Sequence, residues 1–259
     1  VGSRRSRRAD SASWGRRWSR VSRRAGIGSA VARRLLARGD RVVVHSWTPH
    51  DAGQPWGADD LDAVLAELGS PPHVAADLAE PDAAAALVAR AREAVGPLST
   101  LVVNHARSAL GRLDEVTAAD LDLCFAVNAR AGVLLTQAFA AQYEPSSGPG
   151  SVVLFTSGQH RAPMAREIPY ALSKGAIQQI TATLAAAVAD RDITVNCVNP
   201  GLTDTGWADP DETEGVAAAM PRGRWNSPEE AAGVVAWLTG PDARSVTGAT
   251  IDAEGGFRR

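Results

Sequence analysis

Residues 151–174 read SVVLFTSGQHRAPMAREIPYALSK. The run 151–156 has the apolar, β-branched composition of a strand buried on both faces, and it delivers Ser157 to the carboxyl end of that strand. From residue 168 the pattern becomes helical, and on a helix positions four apart share a face, so Tyr170 and Lys174 meet. Lys174 is the single lysine among 27 basic residues, and Tyr170 is one of only 2 tyrosines. A guanidinium is planar and permanently charged, whereas an ammonium is a compact point charge with three rotatable donors. A lysine at this one place therefore points to a task that arginine cannot perform. A cation beside a phenol stabilises the phenolate and draws its pKa toward the range of an acid–base catalyst. Taken alone, Tyr-x-x-x-Lys also describes a solvated lysine next to a core tyrosine.

Outward from this stretch, short β-branched runs alternate with Ala- and Leu-rich helical segments. Strands are predicted at residues 41–45, 73–76, 100–103, 151–156, 193–198 and 249–252, and helices near 27–38, 59–69, 81–95, 117–143, 168–190 and 228–239. Capping signals stand at Thr117 and at Ser227-Pro228. The alternation predicts an α/β fold with a doubly wound parallel sheet and a single domain over residues 21–259. In such sheets ligands bind at the carboxyl ends of the strands. Asn104-His105-Ala106 and Asn199-Pro200-Gly201 each follow a strand and share that edge with Ser157. Asn128 is a polar side chain in an apolar helical stretch and requires a partner. Residues 206–224, rich in Asp, Glu, Gly and Pro, are expected to form a mobile connection or lid, and residues 46–60 a second irregular segment.

A chain of 259 residues with 45% hydrophobic content can bury one large core. Its formal net charge of −2 gives no general drive toward nucleic acid or membrane surfaces. No stretch is expected to span a membrane. A cytoplasmic protein acting on a small molecule is the expectation. Cys124 and Cys197 lie in apolar segments without metal-ligand spacing, so buried free thiols are expected and no metal site is.

Together these residues resemble the short-chain dehydrogenase/reductase family, in its shorter single-domain form, from Val21 to the end. Tyr170-Ala-Leu-Ser-Lys174 matches the family's Tyr-x-x-x-Lys, with Ser157 and Asn128 at the expected offsets. Gly26-Ile27-Gly28 matches the end of its glycine-rich motif, and Asn104-His105-Ala106 resembles its Asn-Asn-Ala-Gly loop. Asn199-Pro200-Gly201, with Thr203 and Thr205, looks like its nicotinamide carboxamide site. Three further stretches resemble a bacterial 3-oxoacyl-carrier-protein-reductase-like subgroup. They are the segment Ser22-Arg23-Arg24-Ala-Gly-Ile-Gly, the pair Trp47-Thr48-Pro49 and Pro55-Trp56-Gly57, and Glu254-Gly255-Gly256-Phe257.

The resemblance implies hydride transfer between NADP(H) and a carbonyl or secondary alcohol, a 3-oxoacyl thioester being one candidate substrate. Tyr170 would exchange the proton and Ser157 would bind the reacting oxygen. Lys174 would lower the tyrosine pKa and hold the nicotinamide ribose, while Asn128 would fix a water linking Lys174 to solvent. Cofactor contacts are implied at Ser22, Arg23, Arg24, Gly26, Ile27, Gly28, Ser46, Asp77, Leu78, Asn104, Ala106, Tyr170, Lys174, Pro200, Gly201, Thr203 and Thr205. Gln159, His160, Pro163 and Met164 would flank the substrate cleft, with Trp207 and Met220 on the lid. Ser46 occupies the position where an acid would bind a ribose 2′-hydroxyl. Neither His45, Ser46 nor Trp47 is acidic, and Arg23 and Arg24 stand in the glycine loop, which favours NADP(H) over NAD(H). A homotetramer built through helices 117–143 and 168–190 and the last strand is also implied.

One segment departs from the pattern. Nine of the first 24 residues are arginine, as in a disordered basic tail, a nucleic-acid arm or an Arg/Ser-rich transit peptide. The family expects an apolar strand ending in Thr-Gly before Val21, but the chain reads Arg16-Arg17-Trp18-Ser19-Arg20. One choice of codons for that stretch, CGG CGT TGG TCA CGG, gives Ala-Leu-Val-Thr-Gly when it is read two bases later. Residues 1–20 are therefore expected to be out of frame. The alternative raised by a damaged glycine motif is a cofactor-binding regulator or inactive paralogue.

Overall fold

The computed structural model describes residues 26–53, 57–206, 215, 217, 218 and 220–257. Residues 1–25, Pro55, Trp56 and Trp207 lie outside the described residues, as does most of the expected lid.

Six parallel strands appear in chain order: β1 Val44–Ser46, β2 His73–Ala75, β3 Thr100–Val103, β4 Gly150–Phe155, β5 Ile193–Asn199 and β6 Thr250–Asp252. The principal helices are α1 Ile27–Ala37, α2 Pro49–Ala52, α3 Leu61–Glu67, α4 Ala83–Val95, α5 Ala118–Phe125, α6 Ala131–Gln142, α7 Ile168–Ala187 and α8 Pro228–Leu238. Every residue of β4 and of β5 is buried, as expected of strands covered on both faces.

Side chains alternate across a strand, and β4 divides its residues accordingly between two cores. Val152 and Leu154 face one core with Leu87 and Val88 of α4, Leu135 and Phe139 of α6, and Ile177 of α7. Val153 and Phe155 face the other with Val31 and Leu35 of α1 and Val235 and Leu238 of α8. Helices thus cover both sides of the sheet. Arg38, at the end of α1, clamps α8 by donating to the Ala236 carbonyl (3.1 Å) and the Thr239 hydroxyl (3.1 Å). The expected caps are present, with reciprocal side-chain and backbone bonds between Thr117 and Asp120 and between Ser227 and Glu230.

Among the described residues the ladder is in two pieces, β1-β2 and β3-β4-β5-β6. The apolar strand that the family pattern expects before Val21 falls in residues 1–25, outside the described residues. β1 is shorter than the sequence suggested, beginning at Val44 rather than at residue 41; among the described residues it pairs with β2 over Val44–Ser46. Side chains bridge the two pieces: the His45 ring at the end of β1 meets the His105 ring after β3 edge-on, with centroids 5.2 Å apart.

The long helix expected at 117–143 is continuous but changes pitch. Residues Ala126–Arg130 form a π-helical turn between α5 and α6. Contrary to expectation, the run Ala118–Gln142 is long and apolar enough to cross a membrane by length and composition, and 61% of its most apolar window is buried inside the protein. It packs on α4 and α7 as a core helix.

Candidate active site

Strand register brings the site together. Val103 pairs with Leu154, Phe155 with Val198, and Asn199 with Asp252. Asn104, Ser157, Pro200 and Asp252 therefore emerge at the same carboxyl edge. Helix α7 crosses behind β4 and is tied to it twice. The Thr156 hydroxyl donates to the Lys174 carbonyl at 2.9 Å, and Lys174 Nζ donates to the Phe155 carbonyl at 3.0 Å.

Lys174 is buried, with its Nζ 5.7 Å from the centre of the Tyr170 ring. Burial draws the lysine pKa down to about 8. Burial also pushes the Tyr170 phenol up to about 12, against a lowering hydrogen bond from Ser157 and further raising by Glu167 and Cys124. Lys174 is not among the groups that shift the phenol here: its ammonium faces the ring and a backbone carbonyl, and desolvation of the phenolate dominates. Ser157 Oγ also reaches Met164 Sδ at 3.9 Å, which puts Met164 beside the reacting groups.

Asn128 occupies the middle of the π turn and is 3% exposed. Its Oδ1 accepts from the Arg107 N–H at 2.7 Å, and its Nδ2 donates to the Arg107 carbonyl at 2.9 Å and to Ser173 Oγ at 2.9 Å. Ser173 in turn donates to the Tyr170 carbonyl at 2.8 Å. Both ends of the side-chain amide are engaged with protein. It fastens the loop after β3 to the helix that carries Tyr170. A π turn is a frequent device for aiming one side chain out of a regular helix.

Of the implied cofactor contacts, Asp77 and Ala106 line a common cavity. A cavity of about 220 Å³ is lined by Trp47, His50, Asp77, His105, Ala106 and Arg107, among others. Ser46, at the end of β1, has its hydroxyl 2.9 Å from His73 Nε2. Asp77 accepts from the Ala79 N–H at 2.9 Å. Gly26 and Gly28 frame the start of α1, and a side chain at Gly28 would come within 2.9 Å of Asn104 Oδ1. A helix N-terminus, a glycine at its start, and a cleft edge with no carboxylate at Ser46 together fit a phosphate-bearing dinucleotide. Burial holds His45 and His50 below their ordinary range and takes His105 to about 3. A neutral His50 accepts from Arg107 Nη1 at 3.1 Å.

Other sequence expectations are redirected. Leu78 is 2% exposed and packs in the core, so only its backbone is available to a ligand. Gln159, expected to flank the cleft, turns its amide toward Thr156 (2.9 Å) and Gln178 of α7 (3.0 Å). Thr203 is buried and its hydroxyl donates to the Pro200 carbonyl at 3.2 Å, bracing the loop after β5, while Thr205 is half-buried. Met220 is buried, and Pro163 is exposed. Ser22, Arg23, Arg24 and Trp207 lie outside the described residues. Sequence reasoning missed Ser173, Arg107 and Asp252. Arg107 stands where the resembled loop has glycine, and that substitution was the available signal. Asp252 carried its signal in register, an acid at the carboxyl end of a strand.

Residues 21–258 match the model of the family described as enoyl-(acyl carrier protein) reductase. The uncharacterized oxidoreductase YjdA of Bacillus subtilis is 33% identical over 240 residues, covering 92% of this chain and 94% of its own. Among solved structures, a blue fluorescent protein from a metagenomic library in complex with NADPH has a TM-score of 0.80 at 32% identity, covering 92% of this chain and 95% of its own. A short-chain dehydrogenase from Burkholderia cenocepacia in complex with NADP has a TM-score of 0.77 at 34% identity, covering 89% and 93%. With its parallel sheet flanked by helices, the chain is an oxidoreductase of the short-chain dehydrogenase/reductase family, acting on CH–OH or carbonyl groups with a nicotinamide cofactor.

Proposed function

We propose that the protein is an NADP(H)-dependent carbonyl reductase or alcohol dehydrogenase whose reacting oxygen lies between Ser157 and Tyr170. The observation that carries this reading is the convergence of Ser157, Tyr170 and the buried Lys174 at one strand edge. The nicotinamide, when bound, supplies or accepts the hydride. Tyr170, held protonated by burial, is the proton donor to a developing alkoxide. Ser157 donates to the same oxygen and stabilises charge as it forms. The Lys174 ammonium offers its remaining donors to ribose hydroxyls, and its field grows in value as water leaves the cleft. Gly26, Gly28, Asn104, Ala106, Asp77, Pro200 and Gly201 would hold the dinucleotide.

Preference for NADP(H) rests on the absence of an acid at His45, Ser46 and Trp47 and on the bases nearby, Arg107 and His73. The two neighbours solved with NADPH and NADP agree with it. A 3-oxoacyl thioester remains the candidate substrate suggested by sequence resemblance. An apolar groove formed by Phe125, Val133 and Leu134 together with Ala176 and Ile180 of α7 supports the proposed assembly of copies of the chain, a tetramer by resemblance; a cytoplasmic location is part of the same proposal. Titration with NADPH and NADH, followed by turnover of a ketone panel, tests the reading. Tighter NADPH binding with ketone reduction is expected. Binding without turnover of any ketone would favour a cofactor-binding regulator instead.

A further inference from the structure

A continuous path of polar contacts joins the loop after β4 to the loop after β5 by way of the end of β6. His160 closes the single 3₁₀ turn Gly158–His160 that follows Ser157. Its Nδ1 lies 3.3 Å from the Ser157 carbonyl, and its Nε2 lies 3.0 Å from Asp252 Oδ1. Carboxylate and carbonyl oxygens both only accept, so each of these two contacts is a hydrogen bond only when the ring nitrogen that makes it carries a proton. The same Asp252 oxygen accepts from Asn199 Nδ2 at 2.9 Å, and Asn199 Oδ1 accepts from the Gly201 N–H at 3.1 Å. Arg161 flanks the path, 3.6 Å from Asp252 Oδ2 and 3.5 Å from Glu254 Oε2.

We infer that His160 and Asp252 are positioning residues, which fix the distance between the Ser157 loop and the Gly201 loop and so hold the nicotinamide end of the cleft in register with the reacting hydroxyl. This rests on the assignment of Ser157 and Asn199-Pro200-Gly201 proposed above. Three features favour the role. Asn199 is fully buried and both ends of its amide are committed, one to Asp252 and one to Gly201, so a shift of the carboxylate is passed to the loop. Gly201 has φ +65°, and an added Cβ would lie 2.7 Å from Glu254 Cα, so this loop and the segment after β6 are packed backbone to backbone. The His160 and Asp252 side chains are 24% and 30% exposed, more than a contact whose only purpose was core stability would require. Their contacts to Ser157 and Asn199 serve the geometry of the edge.

The test compares two ligands on the full chain. NADPH spans the whole cleft, whereas adenosine 2′,5′-bisphosphate carries only the adenosine half. In His160→Ala and Asp252→Ala, NADPH affinity is expected to fall about five- to tenfold, the worth of one or two hydrogen bonds. Adenosine 2′,5′-bisphosphate affinity is expected to stay at its wild-type value. The double variant is expected to be no worse than either single one, because both break the same path. Asp252→Asn, which keeps an acceptor between His160 and Asn199, is expected to retain most of the wild-type ratio. Unchanged NADPH affinity in both alanine variants, or an equal loss for both ligands, overturns the role. A wild-type protein that binds NADPH no better than the bisphosphate overturns the site assignment along with it. Should Asp252→Ala fail to fold, His160→Ala, in a surface turn, carries the comparison.

Discussion

Lys174 Nζ donates to the Phe155 carbonyl at 3.0 Å and sits 5.7 Å from the centre of the Tyr170 ring, so one buried cation is shared between the end of β4 and the aromatic side chain one helical turn away. Its compact head fits there because only one protein acceptor is offered, and a five-donor guanidinium would leave several buried N–H groups without partners.

Lys174 gives stability a pH dependence of definite sign. Its pKa falls from the ordinary 10.5 to about 8 in the fold. Between those values the unfolded chain holds a proton that the native lysine has lost, so stability rises with pH across that window. Tyr170 above its ordinary value of 10, and Cys124 and Cys197 above theirs of 9, oppose this, because each keeps in the fold a proton that the unfolded chain releases. Urea midpoints at about pH 7.5 and about pH 8.5, below the range of these groups, should therefore show a gain in the wild type. Lys174→Met should lack that gain. An identical pH response in the two proteins would contradict the buried placement of the ammonium.

Asn128 is expected to matter for folding as well as for the site. Asn128→Ala removes bonds to both backbone groups of Arg107 and to Ser173. Leaving buried polar groups unpaired costs about 1–3 kcal/mol each. A loss of about 2–4 kcal/mol in denaturant-unfolding stability is expected, together with weaker cofactor binding as the loop after β3 loosens. A variant of unchanged stability would show that the amide is not fastening that loop.

How legible this was in the sequence depended on how local each constraint is. The strand at 151–156 was readable because burial on both faces leaves a nearly unbroken apolar run, and Tyr170 and Lys174 because helical spacing is fixed. The caps at Thr117 and Ser227 followed from side-chain chemistry alone. The π turn at Ala126–Arg130 was not readable, since no residue type demands it. Asn128 announced only that it needed partners, and those lie 21 and 45 residues away in sequence. The shortness of β1 was likewise hidden, because strand pairing is not local. The orientation of Gln159 toward α7 depends on Gln178, which the local pattern around Ser157 does not contain.

Both thiols should be inert in the native state. Cys124 and Cys197 are free and fully buried, and burial raises both pKa values, Cys197 to about 11. The thiolate is the reactive form, so alkylation near neutral pH should be slow. Mass spectrometry after iodoacetamide treatment should find two modified cysteines in urea and none in buffer. Rapid labelling of either thiol without denaturant would contradict the packing of that residue.

The most direct measurement for the central claim is ketone-dependent oxidation of NADPH, followed by its absorbance, in the wild type and in Tyr170→Phe, with NADPH affinity determined for both. The account predicts turnover by the wild type, a loss of about a hundredfold or more when the proton donor is removed, and nearly unchanged NADPH affinity. A Tyr170→Phe variant that reduces the same ketone at the wild-type rate would contradict it.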